Sequence, residues 1–278
     1  MKDIKVVVAS GKGGTGKTFV SVNLASVFEE EVNLIDCDVE EPDTHLFLNP
    51  NWENEENVYV YVPEFNEEKC SLCGMCKDIC KFNAILLFPK KPIVFEDLCH
   101  GCGACKIICP RDAITEKKKV IGKIRIGRKD NIKTVQGILE IGEARPSPVV
   151  LDAIKRADSS KPVIIDSSPG ASCPAVSSLK DSDYAILVTE PTPFGLHDLD
   201  IVIDVIRELQ VPFGVVINRS GIGKMDIKGH LKNRGIEIIA EIPFRMDLAK
   251  ILAQGKIAVD ELLDIRKIFV ELKEKVFV

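Results

Sequence analysis

The sequence predicts an α/β fold with a mostly parallel sheet, interrupted by one small inserted unit. Three observations carry this. Short apolar, β-branched runs alternate with segments of helical period, as buried parallel strands and their crossover helices do. A glycine-rich loop, Ser10 to Thr18, joins the first such run to the first helical segment. Midway along the chain, eight of the ten cysteines crowd into residues 70–109.

Ile4 to Ala9 reads as a buried strand, and Thr18 to Glu29 as a helix with Val20, Leu24 and Val27 on one face. Between them, Gly11, four residues and then Gly16-Lys17-Thr18 form the phosphate-binding P-loop pattern. Gly11, Gly13, Gly14 and Gly16, with Thr15 among them, let backbone N–H groups close around a polyphosphate. Lys17 would neutralise the β- and γ-phosphates and Thr18 would offer a hydroxyl to Mg²⁺. The expected ligands are therefore ATP or ADP with Mg²⁺.

Lys12 adds a second lysine inside the loop. On this feature the chain resembles the deviant P-loop ATPases that include MinD, ParA and the nitrogenase iron protein. The resemblance implies that Lys12 reaches a partner subunit's nucleotide and that ATP binding closes a homodimer. The plainer alternative is that Lys12 adds charge beside the phosphates of its own chain.

Val32 to Ile35 is a second apolar strand, ending in Asp36-Cys37-Asp38. Acids at the C-terminal end of a parallel strand face the ligand crevice. Asp36 is expected near Mg²⁺ and Asp38, in the segment that resembles switch I, as the group orienting the attacking water. Their alternative role is to cap the next element, Pro42 to Leu48. Catalysis is thus expected from Lys12, Lys17 and Asp38. Polar, acidic Asn49 to Asn57 reads as an exposed loop and Val58 to Val62 as a short strand.

Cys70, Cys73, Cys76 and Cys80 follow a Cys-x2-Cys-x2-Cys-x3-Cys spacing, which Cys99, Cys102, Cys105 and Cys109 repeat 29 residues later. Neighbours repeat too: Gly74 with Gly103, Lys77 with Lys106, Ile79 with Ile108, and Ala84-Ile85 with Ala113-Ile114. This duplication resembles the two-cluster bacterial ferredoxin module. The resemblance implies one 4Fe–4S cluster on Cys70, Cys73, Cys76 and Cys109, and a second on Cys99, Cys102, Cys105 and Cys80. Pro110 follows Cys109 as that pattern asks, whereas Lys81 stands where a second proline belongs. Zinc sites also use Cys-x2-Cys pairs, but mostly as separated pairs. The expected division is an ATPase domain of residues 1–62 and 118–278 around a ferredoxin-like domain of residues 63–117.

Lys117 to Lys133 carries eight basic side chains against the single acid Asp130. Lys123 to Ile126 alternates with period two, which reads as a strand whose charged face either docks an acidic redox partner or guards a sheet edge. Thr134 to Leu139 is a further strand, Gly142 to Pro148 a loop and Val149 to Ala157 a helix. Pro162 to Asp166 is an apolar strand closed by an acid, the Walker B arrangement that puts Asp166 near Mg²⁺. Gly170 beyond it would let the loop move with the γ-phosphate, the switch II role that the resemblance implies. Strands follow at Ala185 to Thr189 and Gly214 to Ile217, with helices at Leu196 to Leu209 and Asp226 to Arg234. By resemblance, Asn218 and Arg219 read adenine, with Pro243-Phe244 as the facing wall.

The remaining cysteines are Cys37 and Cys173, the latter at the offset from Asp166 used for a bridging cluster in the nitrogenase iron protein. No second cysteine lies between Asn131 and Lys161, so a buried structural thiol is expected. Val259 to Val278 is amphipathic and expected to pack on the core. The formal charge of −5 gives no general attraction to nucleic acid or anionic membrane. With no long apolar stretch and no leader at the N-terminus, the chain is expected to be cytoplasmic. The expected activity is Mg²⁺-dependent ATP hydrolysis coupled through the clusters to electron transfer or to a redox partner. The alternatives are a cluster-assembly carrier like the Mrp-type ATPases and a MinD/ParA-like positioning ATPase.

Overall fold

The computed structural model describes residues 4–222 and 225–277; Val278, at the end of the amphipathic stretch, lies outside them. In chain order the elements are β1 (Lys5–Ala9), α1 (Lys17–Ala25), β2 (Val32–Cys37), α2 (Thr44–Leu48), β3 (Asn51–Phe65), α3 (Met75–Ile79), β4 (Ile85–Leu87), β5 (Pro92–Val94), α4 (Ala104–Ile107), β6 (Ile114–Lys129), β7 (Ile132–Leu139), α5 (Pro146–Ile154), β8 (Val163–Ser167), α6 (Cys173–Leu179), β9 (Tyr184–Thr189), α7 (Pro193–Glu208), β10 (Phe213–Ser220), α8 (Ile227–Asn233), β11 (Ile238–Pro243), α9 (Met246–Ala253), α10 (Ala258–Glu261) and α11 (Leu263–Phe277).

Nine strands form one sheet in the order β11-β10-β9-β1-β8-β2-β7-β6-β3. The seven from β11 to β7 are parallel, and β6 and β3 continue it antiparallel. The central strands carry apolar side chains on both faces because helices cover both. On one face α1 is buried along its whole length beneath α11, with Phe19 edge-on to Phe269 at 5.7 Å. Ile265, Phe269 and Leu272 of α11 are fully buried there, as the helical period of that stretch asks. On the other face Val149, Val150 and Ala153 of α5 and Leu199, Val202 and Ile203 of α7 join the core.

The stretch 49–57 corrects the expectation of a loop, since β3 begins at Asn51 and runs 15 residues. Two of its acids find bases from elsewhere in the chain, Glu55 across the strand pair on β6 and Glu56 on the turn after α5. Glu55 meets Lys123 at 3.2 Å and Arg125 at 3.3 Å, while Glu56 takes Arg156 at 2.8 Å. Opposite charges facing one another across a sheet favour pairing, a gain that neither segment shows alone. Over residues 122–129, where β7 lies on its other side, β6 is therefore no edge: β3 is the edge there, and Glu55 and Glu53 pair with Lys123, Arg125 and Arg128.

β6 pairs with β7 only as far as Gly122–Leu139, whereas β3 and β6 stay paired to Phe65–Ile114. The ribbon thus runs about 23 Å further at the rise of a strand. Because β7 is parallel to β2, it extends past the same sheet edge at which β1 ends in the glycine loop. The cysteine-rich lobe sits on its tip. There the duplication is structural: β4 and β5 pair Ile85 with Val94 through Leu87 with Pro92. The ribbon tip repeats that register 29 residues displaced, from Phe65–Ile114 through Pro63–Glu116. Positive φ recurs at Leu72 and Gly101, Gly74 and Gly103, and Asn83 and Asp112. The chain therefore crosses positions 62 and 118 inside continuous strands.

Candidate functional site

β1 ends in the glycine loop, and α1 starts at Lys17 with Gly16 before it in the left-handed region (φ 98°). A Cβ on Gly16 would lie 2.2 Å from Asn218 Nδ2, so glycine is required there by both conformation and space. Asn218 is buried at the end of β10 and donates from Nδ2 to the Thr15 carbonyl at 2.7 Å. In this state the residue expected to read adenine is holding the loop's backbone.

Parallel register sets β2 beside β8 with Asp36 level with Asp166. Both carboxylates are fully buried. Thr18 Oγ1 donates to Asp166 Oδ2 at 2.6 Å, and Ser21 Oγ to Asp166 Oδ1 at 3.0 Å. Asp36 Oδ2 accepts from the amide and hydroxyl of Thr44 at 3.1 and 2.8 Å. Burial raises the pKa of both acids; the charge of Asp166 raises Asp36 further, while Lys17 and Thr18 partly relieve Asp166. Lys17 Nζ lies 3.5 Å from Asp38 Oδ2. Asp38 is raised by burial, against the opposing charge of Lys17. Ser21 and Thr44 were missed in the sequence, although Ser21 stands one helical turn after Thr18 on the same face.

Gly13, Gly14, Gly16, Lys17, Thr18 and Asp38 line a cavity of about 640 Å³. A second, of about 360 Å³, is lined by Asn218, Arg219, Pro243 and Phe244, and Gly16 and Phe19 belong to both. One space therefore suits phosphates, and the adjoining one presents an aromatic ring and a backbone-linked amide. Lys12 Nζ is bound to Glu190 Oε1 at 2.7 Å, and Arg219 Nη1 to Glu190 Oε2 at 2.8 Å. Gly170 keeps a positive φ and its amide donates to the Ser10 carbonyl at 2.8 Å. Ser168 Oγ donates to the Cys37 carbonyl at 2.9 Å, tying the loop after β8 to the end of β2.

Cys37 is buried, and burial drives its thiol well above the usual range. Cys173 is exposed at the start of α6, which corrects the expectation of a buried thiol. In the lobe, one cavity is lined by Cys70, Cys73, Cys76 and Cys109, and another by Cys80, Cys99, Cys102 and Cys105. The sulfurs of Cys80 and Cys109 accept the amides of Ala84 at 3.4 Å and Ala113 at 3.3 Å. Among the described residues no three His, Cys, Asp or Glu side chains converge as a single metal ion would require.

A glycine loop opening a helix at the end of a central parallel strand, with two buried aspartates behind it, defines a P-loop nucleotide-binding protein. The family model described as the CobQ/CobB/MinD/ParA nucleotide binding domain matches residues 6–259, and the chain belongs to that family. Two uncharacterized proteins of Methanocaldococcus jannaschii are similar to it. One is 34% identical over 277 residues, 98% of this chain and 96% of the relative. The other is 37% identical over 238 residues, 82% and 84% of the two chains. Among solved structures, the septum site-determining protein MinD of Pyrococcus horikoshii, complexed with Mg-ADP, shares the fold at a TM-score of 0.62 and 20% identity, with 99% and 96% of the chains covered. The cell division ATPase MinD of Pyrococcus furiosus does so at 0.63 and 20%, covering 99% and 98%. No helix among the described residues is long and apolar enough to cross a membrane.

Proposed function

We propose that this chain is a Mg²⁺-dependent ATPase whose nucleotide-driven dimerisation governs two 4Fe–4S clusters on the lobe of residues 63–117. The observation that carries the cluster reading is the pair of lobe cavities, each lined by three cysteines of one run and the fourth of the other. Zinc asks for four ligands near 2 Å from one point, whereas thiolates set around a cavity suit a polynuclear group. Cys70, Cys73, Cys76 and Cys109 would hold one cluster; Cys80, Cys99, Cys102 and Cys105 would hold the other. Bound there, the clusters supply one-electron redox chemistry.

The protein's own part in hydrolysis is positioning and charge. Lys17 neutralises the β- and γ-phosphates from its place beside Asp38. Thr18, Asp166 and Asp36 would hold Mg²⁺, which would add positive charge beside the phosphates. Asp38 orients the attacking water, and Lys12, once released by Glu190, meets the nucleotide of a second copy. Asn218, Arg219 and Phe244 surround the base. A redox protein docking on the lobe would exchange the electrons.

A second reading, an ATPase that positions other structures, is supported by the likeness to a septum site-determining protein; it leaves the lobe a structural element. Anaerobic purification, with iron and acid-labile sulfide assayed and EPR recorded with and without ATP, separates them. Cubane signals that respond to ATP support the first reading. Absence of iron after reconstitution sinks it in favour of the second, and ATP-dependent transfer of clusters to an apo-acceptor would make the protein a carrier.

A further inference from the structure

The loop between β7 and α5, residues 140–145, is tied at both ends. At its start the Leu139 amide donates to the Val39 carbonyl at 2.8 Å, next to Asp38 in the chain. At its end stands an ion pair, Glu143 and Arg145, with side chains only 4% and 3% exposed. Glu143 accepts Arg145 Nε at 2.5 Å and Nη2 at 2.6 Å. The remaining nitrogen, Nη1, donates to the Glu96 carbonyl at 3.1 Å and to the Cys99 carbonyl. Lys119 of β6 approaches the same carboxylate at 3.6 Å. A buried pair of this kind is a poor source of net stability compared with apolar packing. What it does supply is geometry: a planar fork clamped on one side leaves its third nitrogen only one direction.

That direction is the turn presenting Cys99, which also packs against the main core. The Cys70–Cys76 run has no such tie. Among the described residues no side-chain hydrogen bond from outside the lobe reaches it, and Cys76 belongs to the lobe's own small core with Ile85 and Ile114.

We propose that Arg145 is a positioning residue through which the nucleotide site acts on the Cys80, Cys99, Cys102 and Cys105 site and not on its twin. Closing of the segment at Asp38 and Val39 around a γ-phosphate pulls on Leu139, and the guanidinium carries that shift to the Cys99 backbone. Hydrogen bonds and exposure around the sulfurs then change at one site only, and these set a cluster's potential. The redox consequence rests on the cluster reading above; the mechanical link does not.

The test uses the full chain, anaerobically reconstituted, as wild type, Arg145→Lys and Glu143→Gln. Lysine keeps the charge beside Glu143 without reaching both carbonyls. Amide exchange is compared between Mg·ADP and a non-hydrolysable Mg·ATP analogue. In the wild type, exchange over residues 96–103 is expected to change about fivefold or more while residues 70–76 stay level. In both variants the response is lost, with nucleotide affinity within about twofold of wild type. In a redox titration, one midpoint is expected to move by about 59 mV, a tenfold change for one electron, and only in the wild type. A response surviving in the variants, or equal at the two sites, overturns the proposal. A preparation that takes up no iron refutes the cluster reading instead, and the exchange measurement still decides the link.

Discussion

Lys12 Nζ lies 2.7 Å from Glu190 Oε1 within one chain, and the second oxygen of that carboxylate holds Arg219 at 2.8 Å. The lysine expected to reach across a dimer is thus engaged at home, by a residue that also holds Arg219 at the rim of the cavity lined by Asn218 and Phe244. Burial resists ionisation of Glu190, but Lys12 and Arg219 outweigh it and hold its pKa below the usual range. Glu190→Gln should free Lys12 at a gain of about 1 kcal/mol, roughly fivefold, in ATP-dependent dimerisation. Sedimentation with a non-hydrolysable analogue checks this; an unchanged dimer constant would show that the pair restrains nothing.

Asn218 holds the Thr15 carbonyl, so its loss should loosen the phosphate loop itself. Asn218→Ala is expected to cost about 1–3 kcal/mol by leaving a buried carbonyl unpaired. ATP and GTP binding should weaken together. Calorimetric affinities for both nucleotides decide the matter, since a purely base-reading residue would lose adenine preference alone.

Glu143 should make stability depend on acid. The Arg145 hydrogen bond, against the burial penalty, holds its pKa below the usual glutamate range. The folded chain therefore binds this proton less readily than the unfolded chain. Its contribution is complete above the ordinary glutamate range and is lost as pH falls through the lowered value. Glu143→Gln is expected to cost about 3 kcal/mol at neutral pH, with the gap to wild type closing on acidification. Urea unfolding from about pH 3 to about pH 7 tests it, a span that begins about one unit below the free glutamate pKa and reaches neutrality.

The ligand sets proposed for the lobe, crossed between the two runs, make a composition test. Cys80→Ser and Cys109→Ser should each lower iron by about half, and each should remove a different EPR signal. Cys173→Ser, at an exposed position outside both cavities, should leave iron unchanged. Loss of the same signal in both cluster variants would rule out the crossed arrangement.

Much of the nucleotide site was legible because its signals are local. Glycine spacing, a strand before it and a helix after it lie within twenty residues of one another, and Gly16 is demanded by backbone sterics at that point. Asp36 and Asp166 were found as acids ending apolar strands, which is again local. Ser21, Thr44 and Glu190 were not found, because an ordinary serine, threonine or glutamate shows its partner only once distant strands are in register. The same holds for 49–57. Its acids read as a loop until the bases of β6 stand opposite them.

By itself the sequence determined the alternation of strand and helix, the phosphate loop and the doubled cysteine spacing, each set by short-range stereochemistry and periodicity. Only the tertiary structure decided that Lys12 is bound to Glu190, that Cys173 is exposed, and that the lobe stands on a ribbon past the nucleotide edge. It also decided that Arg145 holds the Cys99 turn. Apart from the exposure of Cys173, these rest on pairings between residues tens to hundreds of positions apart, and electrostatic and hydrogen-bond partners at that separation leave no trace in composition or period.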